Sequence, residues 1–183
     1  MQTYAERAAA RPRPAEPVIL GIESSCDETA AAVLRGRAIL CNVVRGSAAE
    51  QAKYGGVVPG SASRAHVDVV DEAVLAAIRE AGIKKEEIDA VAVTYGAGLL
   101  GALLVGLSFA KAFAFALGIP LIAVNHIRGH MAAAYLADPS LEPPFITLLA
   151  SGGHTAVLYT KSYTESEILG STRDDAAGEA FDK

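Results

Sequence analysis

Residues 18–44 read VILGIESSCDETAAAVLRGRAILCNVV, and the fold is decided there. Val18–Glu23 is a short apolar run, the pattern of a strand buried in a core. Two further runs follow, Thr29–Leu34 and Ala38–Val44, and Gly36 sits between them where a hairpin turn wants a glycine. The polar residues Ser24 to Glu28 join the first run to the second. Three consecutive strands joined this tightly predict a meander.

Working outward, residues 46–62 hold Gly, Ser, Pro and Tyr54-Gly55-Gly56 and read as a loop. Ser63 is placed to cap a helix running to about Ala81, with Val67, Val70, Val74, Ala77, Ile78 and Ala81 on one face. Gly82 stops it. Asp89–Thr94 is a strand, and Gly96-Ala97-Gly98 leads into a long Ala/Leu helix ending at Gly118. Pro120 opens the strand Leu121–Val124, and a helix begins near His126. Three strands, helix, strand, helix, strand, helix is the order of one half of an actin-like ATPase fold, the α/β class that includes ribonuclease H-like domains. After Pro143-Pro144 the pattern restarts: strand Phe145–Ala150, tight turn Ser151-Gly152-Gly153, strand Thr155–Tyr159. The expected organisation is a disordered tail over residues 1–17, a complete first lobe over 18–142, and the opening of a truncated second lobe over 143–183.

Composition bounds the function classes. The 183 residues are 51% hydrophobic and 20% charged, ordinary for a soluble globular protein. The net charge of −5 carries no overall basic footprint for a nucleic-acid backbone, leaving a local patch near Arg64, Lys84 and Lys85, or a partner's charge, to supply one. Cys26 and Cys41 form no C-x-x-C pair and read as free thiols. The first 17 residues carry three Arg and two Glu with no apolar core, so they are not a secretory signal. Leu99–Leu117 is apolar and long enough to span a bilayer. Lys111, Gly101, Gly106 and Ser108 interrupt it, and its α/β flanks favour a buried helix.

Five motifs carry chemistry. In Asn125-His126-Ile127-Arg128-Gly129-His130 the histidines are four apart, on one helix face if the segment is helical. They read as a metal-binding pair or as two surface histidines; just after a strand's carboxyl end, where ligands collect in open α/β sheets, the metal reading gains. A third ligand would come from elsewhere, with His66, His154, Asp27 and Glu28 the local candidates. Ile127 stands where an H-E-x-x-H protease needs its glutamate. Gly21–Thr29 is a polar turn that can meet phosphates, or an ordinary Asx/Ser turn. Ser151-Gly152-Gly153-His154 lets backbone approach a ligand, or simply turns a hairpin. Asp174–Lys183 is a capped helix start, or carboxylates gathered at a metal or ribose. Gly96–Gly101 is a phosphate cradle or a tight helix–strand contact.

Taken in order, the set G-I-E-S-S-C-D-E-T, Y-G-G-V-V-P, S-R-A-H, G-x-G-L-L-G, H-I-R-G-H, S-G-G-H-T and D-D-A-A-G-E-A-F-D-K closely resembles the bacterial tRNA adenosine threonylcarbamoyltransferase (TsaD) family, once described as O-sialoglycoprotein endopeptidases. The likeness covers about residues 18 to 183. It implies an actin-like two-lobe fold and transfer of a threonylcarbamoyl group from threonylcarbamoyl-adenylate to the exocyclic amine of the adenosine beside the anticodon, in tRNAs reading codons that begin with A. By the resemblance, His126 and His130 bind one iron or zinc ion, and the third ligand is an Asp in the second lobe, beyond Lys183, so that the site here is open and weak. Leu149, Ala150, Ser151, Gly152, Gly153 and Asp182 match substrate-binding positions, and the resemblance allows ATP or ADP as a further ligand in the cleft. Asp27 or Glu28 is the expected base for the amine proton. Implied partners are tRNA, a shorter actin-like paralogue (TsaB) and a P-loop ATPase (TsaE), in the cytoplasm and with no membrane. Ala97 and Gly60 depart from the usual Pro of G-P-G and the usual Glu after Pro59.

Three rivals stand beside this reading. A non-catalytic actin-like scaffold of the same system lacks H-x-x-G-H. A metalloprotease lacks its glutamate here. An inactive truncated fragment is compatible with every motif, and the 183-residue chain alone is expected to be inactive.

Overall fold

The computed structural model describes residues 2–46 and 57–183. The Tyr54-Gly55-Gly56 reading lies outside them. Close contacts group the chain into two units, residues 1–127 and 128–183.

The first unit is built on the meander. Strands β1 (Val18–Glu23), β2 (Glu28–Arg35) and β3 (Ala38–Gly46) run antiparallel in turn, with Ile22 opposite Ala31 and Val33 opposite Cys41. Strands β4 (Ala90–Gly96) and β5 (Leu121–Asn125) extend the sheet in parallel with β1, giving the order β3-β2-β1-β4-β5. Alternation sets the core: Val18, Leu20 and Ile22 are buried, while Ile19, Gly21 and Glu23 on the opposite face are half-buried. Leu20, Val33 and Val91 are wholly enclosed, each contributing roughly 1.5–3 kcal/mol by leaving water.

Helices α2 (Pro59–Glu80) and α3 (Leu100–Leu117) pack on this sheet and on one another. Helix α2 starts five residues earlier than its sequence suggests, with Val58 at the cap position expected of Ser63. Pro59 at the first helical position is already set to a helical φ, and the Ser63 hydroxyl donates to the Pro59 carbonyl at 2.8 Å instead of capping. Its inner face is Ala62, His66, Val70, Ala73, Val74 and Ala77, and Val67 is 61% exposed. His66 takes the place on the inner face expected of its apolar neighbour, because its ring nitrogens find partners inside. Arg64 lies near one end of α2 and Lys84-Lys85 beyond the other, about 30 Å along the axis at 1.5 Å per residue, so they form no joint basic patch.

The long apolar helix is α3. Ala102, Leu103, Gly106, Ala110 and Ala114 are buried, while Leu100, Leu104 and Phe115 are exposed. It is long and apolar enough to cross a membrane by length and composition, and its inner face packs against sheet and helix. Gly118 ends it at φ 63° in the left-handed region.

The stretch expected to be a disordered tail contains a helix, α1 (Tyr4–Ala9). Thr3 and Glu6 form a reciprocal capping box. The helix is tied to the end of α3: the Tyr4 hydroxyl donates to the Ile119 carbonyl at 2.8 Å, and Arg11 donates to the Leu117 carbonyl at 3.2 Å. Cationic donors suit the last carbonyls of a helix. These partners are more than a hundred residues away, which is why the local composition does not announce them.

Helix α4 (His126–Ala137) follows β5, and the boundary between the units falls within it. Pro143-Pro144 lies inside the second unit. That unit holds the antiparallel strands β6 (Phe145–Ala150), β7 (Thr155–Thr160) and β8 (Ser166–Ser171), then α5 (Ala177–Asp182). Strand β8 went unread in the sequence because SEILGS offers only Ile168 and Leu169 as apolar residues, and both are exposed.

Candidate functional site

Three neighbouring strands, β1, β4 and β5, run parallel and end together, and each delivers a polar side chain at or near its carboxyl end. Glu23 closes β1, Thr94 lies near the end of β4, and His126 follows directly on β5. The Thr94 hydroxyl donates to Glu23 Oε2 at 2.6 Å, and His126 Nδ1 lies 3.2 Å from the same oxygen. The Ser25 backbone N–H donates to Glu23 Oε1, and the Ser25 hydroxyl is 3.2 Å from His126 Nδ1. Burial pushes the Glu23 carboxyl up, but hydrogen bonds from Ser25, Thr94 and His126 outweigh it and hold the group below the ordinary glutamate value.

The adjoining turn is held from two sides. On one side, Gly98 lies against the Ser25 backbone and Leu99 N–H donates to the Ser25 carbonyl at 2.7 Å. Gly98 therefore packs against the turn after β1, whereas a Cβ at Gly96 would meet nothing within 4 Å. Beside Gly98 the buried Ser24 hydroxyl donates to the Ala102 carbonyl at 2.9 Å. On the other side stands His66, 1% exposed. Its Nε2 is 2.9 Å from the Cys26 carbonyl, which can only accept, so Nε2 carries the proton and Nδ1 accepts from the Thr29 hydroxyl at 2.6 Å. Both its nitrogens are committed to the turn, and His66 acts as a brace there.

The turn presents the two carboxylates singled out as bases. Asp27 is half-buried beside Cys26, and Glu28 is exposed at the start of β2. Partial burial of its sulfur, then the neighbouring Asp27 charge, push the Cys26 thiol up. The carboxylate brought to His126 is Glu23, which motif reading passed over in favour of Asp27 and Glu28. The available signal was a charged residue ending an otherwise apolar strand. His130 is exposed on α4, four residues after His126. Among the described residues no group of three or more His, Cys, Asp or Glu side chains is gathered to hold a metal.

In the second unit the Ser151–His154 turn is closed by Ser151 N–H to the His154 carbonyl at 2.8 Å and by His154 N–H to the Ser151 hydroxyl at 3.1 Å. Gly152 and Gly153 are exposed, Ala150 is exposed, and Leu149 is buried in the sheet. The first turn of α5 seats on this turn: Gly178 N–H donates to the Ser151 carbonyl at 3.1 Å, and Ala177 N–H to the Thr155 hydroxyl at 2.8 Å. The S-G-G-H-T and D-D-A-A-G-E-A-F-D-K segments are thus brought together, with Asp182 in that short helix. His154, the fourth residue of the turn, is half-buried.

Comparison with known proteins agrees with this construction. A family model described as TsaD, tRNA N6-adenosine threonylcarbamoyltransferase, matches residues 38–183. Curated proteins of that name from Clostridium botulinum (strain 657 / Type Ba4) and Clostridioides difficile (strain 630) are 56% and 57% identical over 166 and 167 residues. These matches take in 90% and 91% of this chain but 49% of each relative, so the chain spans about half the length of the curated relatives it matches. Among solved structures, YeaZ from Pseudomonas aeruginosa superposes with a TM-score of 0.57 at 18% identity, covering 84% of this chain and 65% of that one. The ethanolamine utilization protein EutJ from Carboxydothermus hydrogenoformans gives 0.51 at 13%, covering 92% and 55%. At such identities the structural likeness speaks for the fold alone, which is actin-like. With four-fifths of its length inside one family model, the chain belongs to the tRNA N6-adenosine threonylcarbamoyltransferase family.

Proposed function

We propose that this chain supplies the first lobe, residues 18–142, and the opening of the second, residues 143–183, of an enzyme that transfers a threonylcarbamoyl group from threonylcarbamoyl-adenylate to the exocyclic amine of the adenosine beside the anticodon of tRNA. The observation that carries the reading is His126 held by Glu23 at the carboxyl ends of parallel strands, in a chain of this family. His126 and His130 serve as two ligands of one iron or zinc ion, and the remaining donors lie outside the clusters described. The residues fit that role in one respect: a metal-binding histidine ordinarily gives its other ring nitrogen to a carboxylate, as His126 Nδ1 does to Glu23. Such an ion, when bound, supplies charge stabilisation to a phosphate leaving group.

The chain's own residues do the rest. Exposed backbone at Gly152 and Gly153 offers a close approach for the acyl-adenylate, with no side chain in the way. Asp182 takes part in substrate binding. Asp27 or Glu28 accepts the amine proton, and because the carbonyl arrives already activated, positioning carries most of the acceleration. ATP or ADP is a further ligand in this reading. A shorter actin-like paralogue (TsaB) and a P-loop ATPase (TsaE) are the protein partners, and the cytoplasm is where they meet tRNA. The net charge of −5 is consistent with a partner providing part of the tRNA surface.

The test is to express the complete reading frame containing these residues in cells depleted of their own transferase and to read threonylcarbamoyladenosine in digested tRNA by mass spectrometry. Restored modification that disappears with His126→Ala and His130→Ala together is expected. A frame that restores nothing, or a double variant that modifies normally, contradicts the proposal.

A further inference from the structure

We propose that Glu23 is a positioning residue for His126, its carboxylate fixing the ring as the Nδ1–H tautomer so that the Nε2 lone pair is the one offered to a divalent metal ion. For its metal this rests on the reading above; the effect on the ring stands on geometry alone. An ionised carboxylate only accepts hydrogen bonds. Glu23 Oε1 takes the Ser25 N–H, and Oε2 takes the Thr94 hydroxyl at 2.6 Å while facing His126 Nδ1 at 3.2 Å. Two lone pairs do not share such a contact, so the proton sits on Nδ1. The Ser25 hydroxyl, 3.2 Å from that nitrogen, is then a second acceptor. In a neutral imidazole a proton on one nitrogen leaves the other as the lone-pair donor.

Glu23→Gln reverses this without changing size. The Ser25 backbone N–H cannot become an acceptor, so the amide oxygen stays beside it. The NH2 group then turns to Thr94 Oγ1 and His126 Nδ1, both of which must accept, and the ring proton moves to Nε2. A nitrogen that carries a proton has no lone pair for a metal.

The experiment labels the 183-residue chain with ¹⁵N-histidine and reads ring-nitrogen protonation by two-bond ¹H–¹⁵N correlation, metal-free, in buffer alkaline enough for neutral imidazole. His126 is assigned by the signals lost in His126→Gln. The wild-type chain should show Nδ1–H and Glu23→Gln should show Nε2–H. An Nε2–H wild type, or a variant that keeps the wild-type tautomer, overturns the assignment; if the variant does not fold, the wild-type tautomer alone decides. In parallel, zinc titration of the complete reading frame's product, with and without Glu23→Gln, should show affinity about 10- to 100-fold weaker in the variant. The expected tautomers with no zinc uptake by either product would support Glu23's hold on the ring and contradict the metal reading.

Discussion

At Gly98 an added Cβ would lie 2.5 Å from the Ser25 carbonyl oxygen and 2.6 Å from the Ser25 Cβ, with φ at +153°. Neither backbone can yield without moving the turn that carries Glu23, Asp27 and Glu28. Gly98→Ala should therefore destabilise the chain by about 1–3 kcal/mol, the usual range for overpacking, read as a lower urea midpoint. An unchanged midpoint would mean the loop does not press on Ser25. Cys26 offers a probe of the same turn. Its thiol is exposed but is pushed up by partial burial and by Asp27, so thiolate is scarce near neutral pH. Asp27→Asn should speed its alkylation by iodoacetamide at fixed pH; an equal or slower rate would remove Asp27 from its surroundings. Residues at this scale were legible where a motif spelled them out, as with His126 and Ser151. Glu23 and Thr94 were not, since they meet only when strands 71 residues apart in sequence lie side by side.

Elements show the same division. The meander, the glycine stop of α3 and the Ser151–His154 turn follow from local pattern, and the structure has them close to where the sequence puts them. Helix α1 and strand β8 do not, one because its anchors are Ile119 and Leu117, the other because its few apolar residues face outward. Two predictions belong here. Tyr4→Phe removes the hydroxyl that donates to the Ile119 carbonyl and should lower stability by about 1 kcal/mol, with faster exchange of the amides of residues 4–9. Unchanged exchange would leave α1 without its anchor. Gly178→Ala would place a Cβ 2.8 Å from the Gly152 Cα. It should lift the first turn of α5 from the Ser151 carbonyl and expose the residue 178 amide to hydrogen exchange, while the strand amides of β6 and β7 stay protected. Protection equal to wild type at position 178 would contradict that seating.

For the molecule as a whole, order of elements and order of motifs carried the fold and the family, whereas composition carried neither. A net charge of −5 gives no hint of the tRNA substrate proposed above, and the apolar length of α3 suits a membrane as well as a sheet. What the strand ends add is a reason for the helix after β5 to begin with a histidine: Glu23, held by the Thr94 hydroxyl, faces its Nδ1 there. The central claim is that this histidine, with His130, holds a metal ion. Its most direct test is elemental analysis of the complete reading frame's product, purified without chelator, beside the His126→Ala, His130→Ala variant confirmed folded by circular dichroism. Stoichiometric iron or zinc in the parent that falls to background in the variant is the predicted result, and equal metal content in the two proteins would contradict it.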